Sequence, residues 1–130
     1  MKTFMNAVVD SSPTVVLQIA EAIENAPHKA VSLNGDGKAE LSTSGVMGFG
    51  VILGNTLPEL PEGAEVSVLI KDIGLIVAGE DIAAGDPVAA GDYGVAVTAG
   101  SGMFILGFAL DSAAEGDHFR IQITKSGYMP

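Results

Sequence analysis

The stretch I-K-D-I-G-L-I-V-A-G-E-D-I-A-A-G-D-P-V, residues 70–88, decides the fold. It contains two short apolar runs separated by Ala-Gly-Glu-Asp, and the second run has its own Ala-Gly-Asp-Pro turn. Gly79 and Gly85 can adopt the positive φ that tight turns require, and the Asp86 side chain can bond to nearby backbone. Pro87 has no N–H to donate, which suits a turn or an edge strand. The stretch therefore predicts short strands joined by glycine turns.

The composition is that of one small domain with many turns. The chain has 130 residues with 17 glycines and 6 prolines, which favours turns over long helices. Hydrophobic residues make up 48% and aromatic residues only 5%, so the core is expected to be aliphatic. We predict a mainly β protein with a single β-rich domain over residues 13–130 and an N-terminal arm over residues 1–12.

The acidic net charge of the chain argues against some classes of binding partner. Six basic and 16 acidic residues give a net charge of −10, which argues against direct binding to nucleic acid or to an anionic membrane surface. There is no cysteine, which excludes disulfides and thiolate metal sites. The N-terminus lacks the apolar core of a signal peptide, and no apolar run approaches the roughly 20 residues of a membrane helix. We expect a soluble protein made in the cytoplasm.

The N-terminal arm holds the candidate contact residues. Phe4, Met5, Val8 and Val9 are apolar, but the polar residues among them break any long element. An arm with such groups usually docks on something, and docking on its own domain is one alternative.

A short helix is predicted over residues 13–25. Ser12 followed by Pro13 is a favourable helix start, and Pro27 ends whatever element precedes it. The apolar side chains between them fit one helical face, but they also fit a strand face interrupted by Glu21.

The rest of the chain reads as short strands and tight turns. Asn34-Gly35-Asp36-Gly37 is a strong hairpin signal between two such strands. Ala99-Gly100-Ser101-Gly102 is predicted to connect another hairpin, and the tail 125–130 is expected to be loosely held. The predicted strands cover residues 29–33, 38–41, 49–53, 65–70, 73–77, 82–88, 93–98, 103–110 and 118–124.

The sequence contains an internal repeat. Residues 50–53 and 62–70 resemble residues 107–110 and 115–123, because each pair reads as a strand, an acidic-glycine turn and an alternating strand. A repeat of hairpins is typical of a compact barrel or clip-like β fold.

Two glycine-rich segments suggest ligand sites, and both patterns fail. Residues 34–37 resemble part of a calcium loop, but its register places Ser32 and Thr43 at the first and last ligand positions. The glycines of residues 48–54 resemble part of a dinucleotide fingerprint, but Pro58 follows where a helix would have to form. We expect no metal and no cofactor.

No catalytic residue set is visible. His28 and His118 are far apart in sequence, and each is expected to be an ordinary surface or edge residue rather than a ligand. A carboxylate-pair hydrolase is an alternative, since such pairing depends on the fold, but aromatic residues to bind a substrate are nearly absent. Turn capping explains the most conspicuous carboxylates, which are Glu80, Asp81, Asp86 and Asp92.

Residues 46–124 resemble the small capsid cement or head decoration proteins of tailed bacteriophages, the DUF2190-like group. The matching segments are F-G-V-I-L-G, E-G-A-E-V-S-V-L-I, I-G-L-I-V, D-I-A-A-G-D-P-V and G-F-A-L-D-S-A-A-E-G-D-H-F-R-I-Q-I. The resemblance lies in the order of strands and in turn chemistry. Residues 1–45 fall outside it.

The resemblance implies a non-enzymatic structural protein with a β-clip-like fold, related to lambda-type decoration proteins. Such proteins bind the outer face of an icosahedral capsid after it expands, often as trimers, and staple neighbouring capsomers. The expected partners are the major capsid protein and further copies of the chain, and the expected location is the virion exterior. The resemblance also makes Phe4, Met5, Val8 and Val9 candidates for adding to the capsid by β-augmentation. The main alternative is a small β-rich binding module for carbohydrate or another ligand.

Overall fold

The structure is a computed structural model that describes residues 13–54 and 56–130. It is mainly β, as predicted, and the one helical element among these residues is a single 3-10 turn at Asp92–Gly94. The predicted arm and its four candidate residues lie outside the described residues. The strands are β1 (Thr14–Gln18), β2 (Ala30–Leu33), β3 (Ala39–Leu41), β4 (Gly50–Ile52), β5 (Glu65–Leu69), β6 (Asp72–Val77), β7 (Pro87–Ala90), β8 (Ala96–Thr98), β9 (Gly107–Ala109) and β10 (His118–Ile123).

The strands form two antiparallel five-stranded sheets. The first has the order β1-β5-β4-β2-β3 and the second has the order β6-β10-β9-β7-β8. Neither sheet closes into a barrel within the described residues. Replacing β6 to β10 by β1 to β5 turns the second order into the first, so the chain contains two copies of one fold. We name β1–β5 the first repeat and β6–β10 the second repeat.

The equivalence extends to individual backbone contacts. In the first repeat, Ile23 and Leu60 exchange two N–H···O bonds of 2.9 Å, and in the second repeat Ile82 and Ala113 do the same at 2.8 and 2.9 Å. The echo seen in the sequence maps β4 and β5 onto β9 and β10, which occupy the same positions in the two sheets. The predicted repeat is therefore confirmed and extends over all ten strands.

Strand alternation gives each sheet two faces. In the first repeat Ile52 and Val68 lie opposite each other and belong to one core cluster, with Ile19, Ile23 and other side chains of that repeat. We name this the inner face. The next residues along the strands point the other way and form the outer row of the first repeat, which consists of Ala30, Val51 and Leu69 in cross-strand register.

The outer row of the first repeat packs on the inner face of the second. Ala30, Val51 and Leu69 are 0%, 1% and 4% exposed and belong to the core cluster of the second repeat. The contact is close at Gly74 on β6, where an added Cβ would lie 2.5 Å from Leu69 Cδ2. The two sheets are therefore stacked, with the outer row of one against the inner face of the other.

The predicted helix over residues 13–25 is wrong. Its first part is β1, which pairs with β5 from Thr14↔Leu69 to Gln18↔Glu65, and Ile19 and Ile23 form isolated bridges. The strand alternative wins because Val15 and Val16 are β-branched and because β5 supplies a hydrogen-bonding partner that no local pattern reveals.

Three smaller expectations also need correction. The second apolar run, residues 82–88, becomes a strand only at Pro87. Strands β8 and β9 do not form a hairpin, since both pair with β7 on opposite sides. The tail is held by backbone hydrogen bonds that include Gly102 N–H to Met129 O at 2.9 Å and Ile105 N–H to Gly127 O at 2.7 Å. These pairings join residues distant in sequence, so neighbouring turn signals do not specify them.

Gly50 and Gly107 occupy equivalent positions where strands meet closely. A Cβ at Gly50 would collide with the Leu69 carbonyl oxygen, and one at Gly107 would collide with the Gln122 carbonyl oxygen. We expect Gly50→Ala and Gly107→Ala each to lower the free energy of unfolding by about 1–3 kcal/mol through overpacking, as measured by urea denaturation. Gly100→Ala is the control, since its nearest atom would be Met103 Sδ at 3.5 Å; equal effects in all three would refute the close packing.

Substitution of Gly85 measures how much stability is lost when a residue other than glycine has a positive φ. Gly85 has φ +89 and Gly35 does not have a positive φ, while an added Cβ would meet nothing within 4 Å at either site. We expect Gly85→Ala to destabilise the fold by about 1 kcal/mol or more, and Gly35→Ala to change it by less than about 0.5 kcal/mol. Thermal melts of both variants would contradict this reading if the midpoints were the same.

Candidate interaction surfaces

Strand β1 lies at the edge of the first sheet. β1 begins at Thr14 and pairs with β5, and no further strand lies on its other side among residues 13–54 and 56–130. Its sequence T-V-V-L-Q has no charge, and Val16 is 59% exposed. An uncharged edge strand without an interior proline can add another strand. The segment with Phe4, Met5, Val8 and Val9 is therefore joined to an edge that is suited to strand addition, and its own contacts stay a prediction.

The carboxylates noted in the sequence accept hydrogen bonds from backbone N–H groups. Glu80 Oε2 accepts from Thr98 N–H, Asp81 Oδ1 from Glu115 N–H, Asp86 Oδ2 from Ala83 N–H and Asp92 Oδ1 from Ser44 N–H, at 3.0–3.2 Å. Turn capping was the expected role, and the bonds of Asp81, Asp86 and Asp92 confirm it. Each of these three acids binds a different turn, whereas Glu80 binds the last residue of strand β8.

One cleft lies beside the first repeat. It has a volume of about 620 Å³ and is lined by residues that include Glu21, Glu40, Asp92 and Tyr93. Tyr93 is 78% exposed and has φ 61, while Asp92 is already bonded to Ser44 N–H. Nothing in the cleft pairs a nucleophile with a base. Within the described residues, no group of three or more His, Asp or Glu side chains is arranged to hold a metal ion, and no helix has the length and apolarity to cross a bilayer.

The two histidines are in contact where the two repeats meet. The sequence did not predict this contact. The rings of His28 and His118 lie edge to face with centroids 4.8 Å apart, and the His28 carbonyl accepts from Val77 N–H on β6 at 3.2 Å. Burial and the charge of His118 lower the pKa of His28, with a smaller contribution from Lys29, against a hydrogen bond to the Leu75 backbone that raises it. No sequence signal links two histidines this far apart.

This geometry predicts a loss of stability in mild acid. Because the pKa of His28 is lowered in the folded state, its stabilising effect is complete above about 6.5, the ordinary histidine pKa. That effect is lost as the pH falls below this value and through the lower pKa of the folded protein. We expect the thermal midpoint to fall between pH 7.5 and 5.5, and to fall less in His28→Asn, which keeps a residue that tolerates the positive φ of 66. An equal fall in wild type and variant would contradict the role of His28.

The second repeat has an exposed apolar surface. Its outer row consists of Pro87, Phe108 and Gln122 in cross-strand register, and the row continues to Ile73 on the edge strand β6. Phe108, Ile73 and the neighbouring Leu75 are 36%, 41% and 43% exposed. We name these three residues, together with Pro87, the outer patch.

The charge next to the outer patch is paired. Arg120 lies opposite Leu75 and donates to Asp111 through Nε at 2.9 Å and Nη2 at 2.8 Å. These bonds hold the pKa of Asp111 at about 2. The sequence predicted a strand over residues 73–77 but did not show which of its side chains face solvent. On the paired strand β10, His118, Arg120 and Gln122 are exposed, and the β6 residues opposite them lie on the same, outward side of the sheet.

Comparison with known proteins identifies a family and a similar solved structure. A family model described as phage cement protein matches residues 14–124, which include all ten strands. A search of curated proteins finds no match. The fold is similar to the crystal structure of the head fiber gp8.5 N base in bacteriophage phi29, with a TM-score of 0.65 and 19% sequence identity, covering 91% of this chain and 98% of that chain. At that identity, the likeness concerns the fold alone.

Proposed function

Since this chain belongs to the phage cement protein family, we propose that it binds the outer surface of an icosahedral phage capsid and stabilises the expanded shell by stapling neighbouring capsomers. The family consists of structural, virion-associated phage proteins. The family match over all ten strands is the observation that carries the proposal. The major capsid protein is the proposed partner, the capsid exterior the proposed location and the host cytoplasm the proposed place of synthesis.

The proposed mode of attachment is strand addition through the arm. Residues 1–12 precede an uncharged edge strand, β1. In β-augmentation the backbone hydrogen bonds supply affinity and alternate side chains supply specificity. Phe4, Met5, Val8 and Val9 are the side chains proposed to fill apolar pockets on the capsid.

A non-enzymatic role agrees with the distribution of charged groups. Each of the four most conspicuous carboxylates accepts a hydrogen bond from a backbone N–H, and three of them cap turns. The net charge of −10 keeps free copies soluble and apart until a capsid presents its binding sites. The chain is proposed to act as a homo-oligomer, with a trimer favoured, because several weak contacts on a repeating shell gain strength when they are linked.

Co-sedimentation with expanded, undecorated capsids from the same source tests the function. We expect saturable binding of the wild-type chain at a fixed number of copies per capsomer. Deletion of residues 1–10 should abolish binding and leave the thermal midpoint unchanged, since β1 begins after the deletion. Serine substitution of Phe4, Met5, Val8 and Val9 should have the same effect.

The matched control replaces Ser11 and Ser12 by alanine and should bind like wild type. Absence of wild-type binding to capsids in every maturation state would overturn the proposed function. Unfolding of the truncated chain would instead show that the arm belongs to the core.

A further inference from the structure

We propose that the outer patch of the second repeat packs on the first repeat of a second copy of this chain, so that copies join head to tail. The chain already contains this contact once, between its own repeats. The proposal deepens the homo-oligomer of the proposed function by assigning both of its surfaces, and it is tested without capsids.

The outer rows of the two repeats occupy equivalent positions in their sheets. The register equates Ala30, Val51 and Leu69 with Pro87, Phe108 and Gln122. The first row is at most 4% exposed because the second repeat covers it. In the second row, Phe108 is 36% exposed and Gln122 is also exposed. The same position in the same sheet is therefore covered in one repeat and open in the other.

The inner faces of the two repeats differ in how far equivalent residues are exposed. In the second repeat, Ala90 and Ile123 are 1% and 4% exposed and lie in the cluster that contains the outer row of the first repeat. Their equivalents in the first repeat are Leu33 and Ile70. Leu33 is 44% exposed and Ile70 is half-buried, yet both remain apolar. Phe49 nearby is partly covered by Lys125, whose Nζ lies 4.8 Å from the ring centroid.

The two open surfaces therefore match the two sides of the internal contact. The outer patch corresponds to the side contributed by the first repeat, and the surface at Leu33 and Ile70 corresponds to the side contributed by the second repeat. A contact between two different surfaces of identical chains is heterologous, and it closes into a ring when the rotation between copies allows. Gln122 in place of Leu69 makes this contact more polar than the internal one, which suits a surface that is wetted before assembly.

The test uses two variants that each block one surface. In sedimentation equilibrium of the full chain, we expect wild type to self-associate. The Phe108→Lys and Leu33→Lys variants should each self-associate at least roughly tenfold more weakly, because each would bury an unpaired charge in the contact. Leu57→Lys is the control, because Leu57 is 71% exposed and belongs to neither surface, and it should behave like wild type. Circular dichroism melts confirm that the variants fold, and Phe108→Gln replaces the lysine variant if that variant does not.

An equimolar mixture of the two variants distinguishes this geometry from a symmetric one. The Leu33→Lys copy keeps an intact outer patch and the Phe108→Lys copy keeps an intact first repeat, so the mixture should form dimers and nothing larger. A mixture that stays monomeric, or a wild-type chain that is monomeric at every concentration, would overturn the proposal. Self-association that appears only after deletion of residues 1–10 would assign the surface to the arm instead. If wild type is monomeric and still binds capsids, the proposed function stands and this inference falls.

Discussion

The burial of one apolar row between two sheets is the constraint on which the rest of the structure depends. Ala30, Val51 and Leu69 come from three different strands of the first sheet, and each is almost fully buried against the second. A small domain with few aromatic residues gains most of its stability from such aliphatic contacts, at about 25 cal/mol for each Å² of apolar surface buried. Gly74 allows the close approach, because any side chain there would meet Leu69.

The same constraint explains why two similar repeats have different surfaces. Each repeat needs a covered inner face, and the second repeat obtains its cover from the outer row of the first. Loops contribute to the inner face in both repeats, through Ile23 and Leu60 in the first and through Ile82 and Ala113 in the second. Among the described residues, no outer row packs on the inner face of the first repeat, and Leu33 there is 44% exposed. The stacking therefore leaves two distinct apolar surfaces, the outer patch on the second repeat and the surface at Leu33 and Ile70 on the first.

Local patterns in the sequence were sufficient for much of the fold. The alternation of residues 118–124 predicted β10, and Asn34-Gly35 predicted the β2–β3 hairpin, in which Asn34 Oδ1 accepts from Asp36 and Lys38 N–H. The turn capping by acids and the internal repeat were also evident before the structure. In each case the deciding interaction joins residues close in sequence, or repeats a pattern that can be compared by eye.

The predictions were wrong or missing where contacts between residues distant in sequence determine the structure. The segment 13–25 has both helical and strand patterns, and only its pairing with β5 selects the strand. The His28–His118 contact and the exposure of Phe108 depend on how the two sheets stack. The candidate site was predicted only through the resemblance to cement proteins, and its residues Phe4, Met5, Val8 and Val9 lie outside the described part of the chain.

The separation of the repeats along the chain has a consequence for synthesis. Every strand of the first sheet precedes every strand of the second, so the first sheet can form on the ribosome before its cover exists. At about 5–20 residues per second, translation of the second repeat takes several seconds. During that interval the row Ala30–Val51–Leu69 faces water and can contact other nascent chains. The second sheet completes this cover only when β10, the last strand of the chain, pairs with β6 and β9.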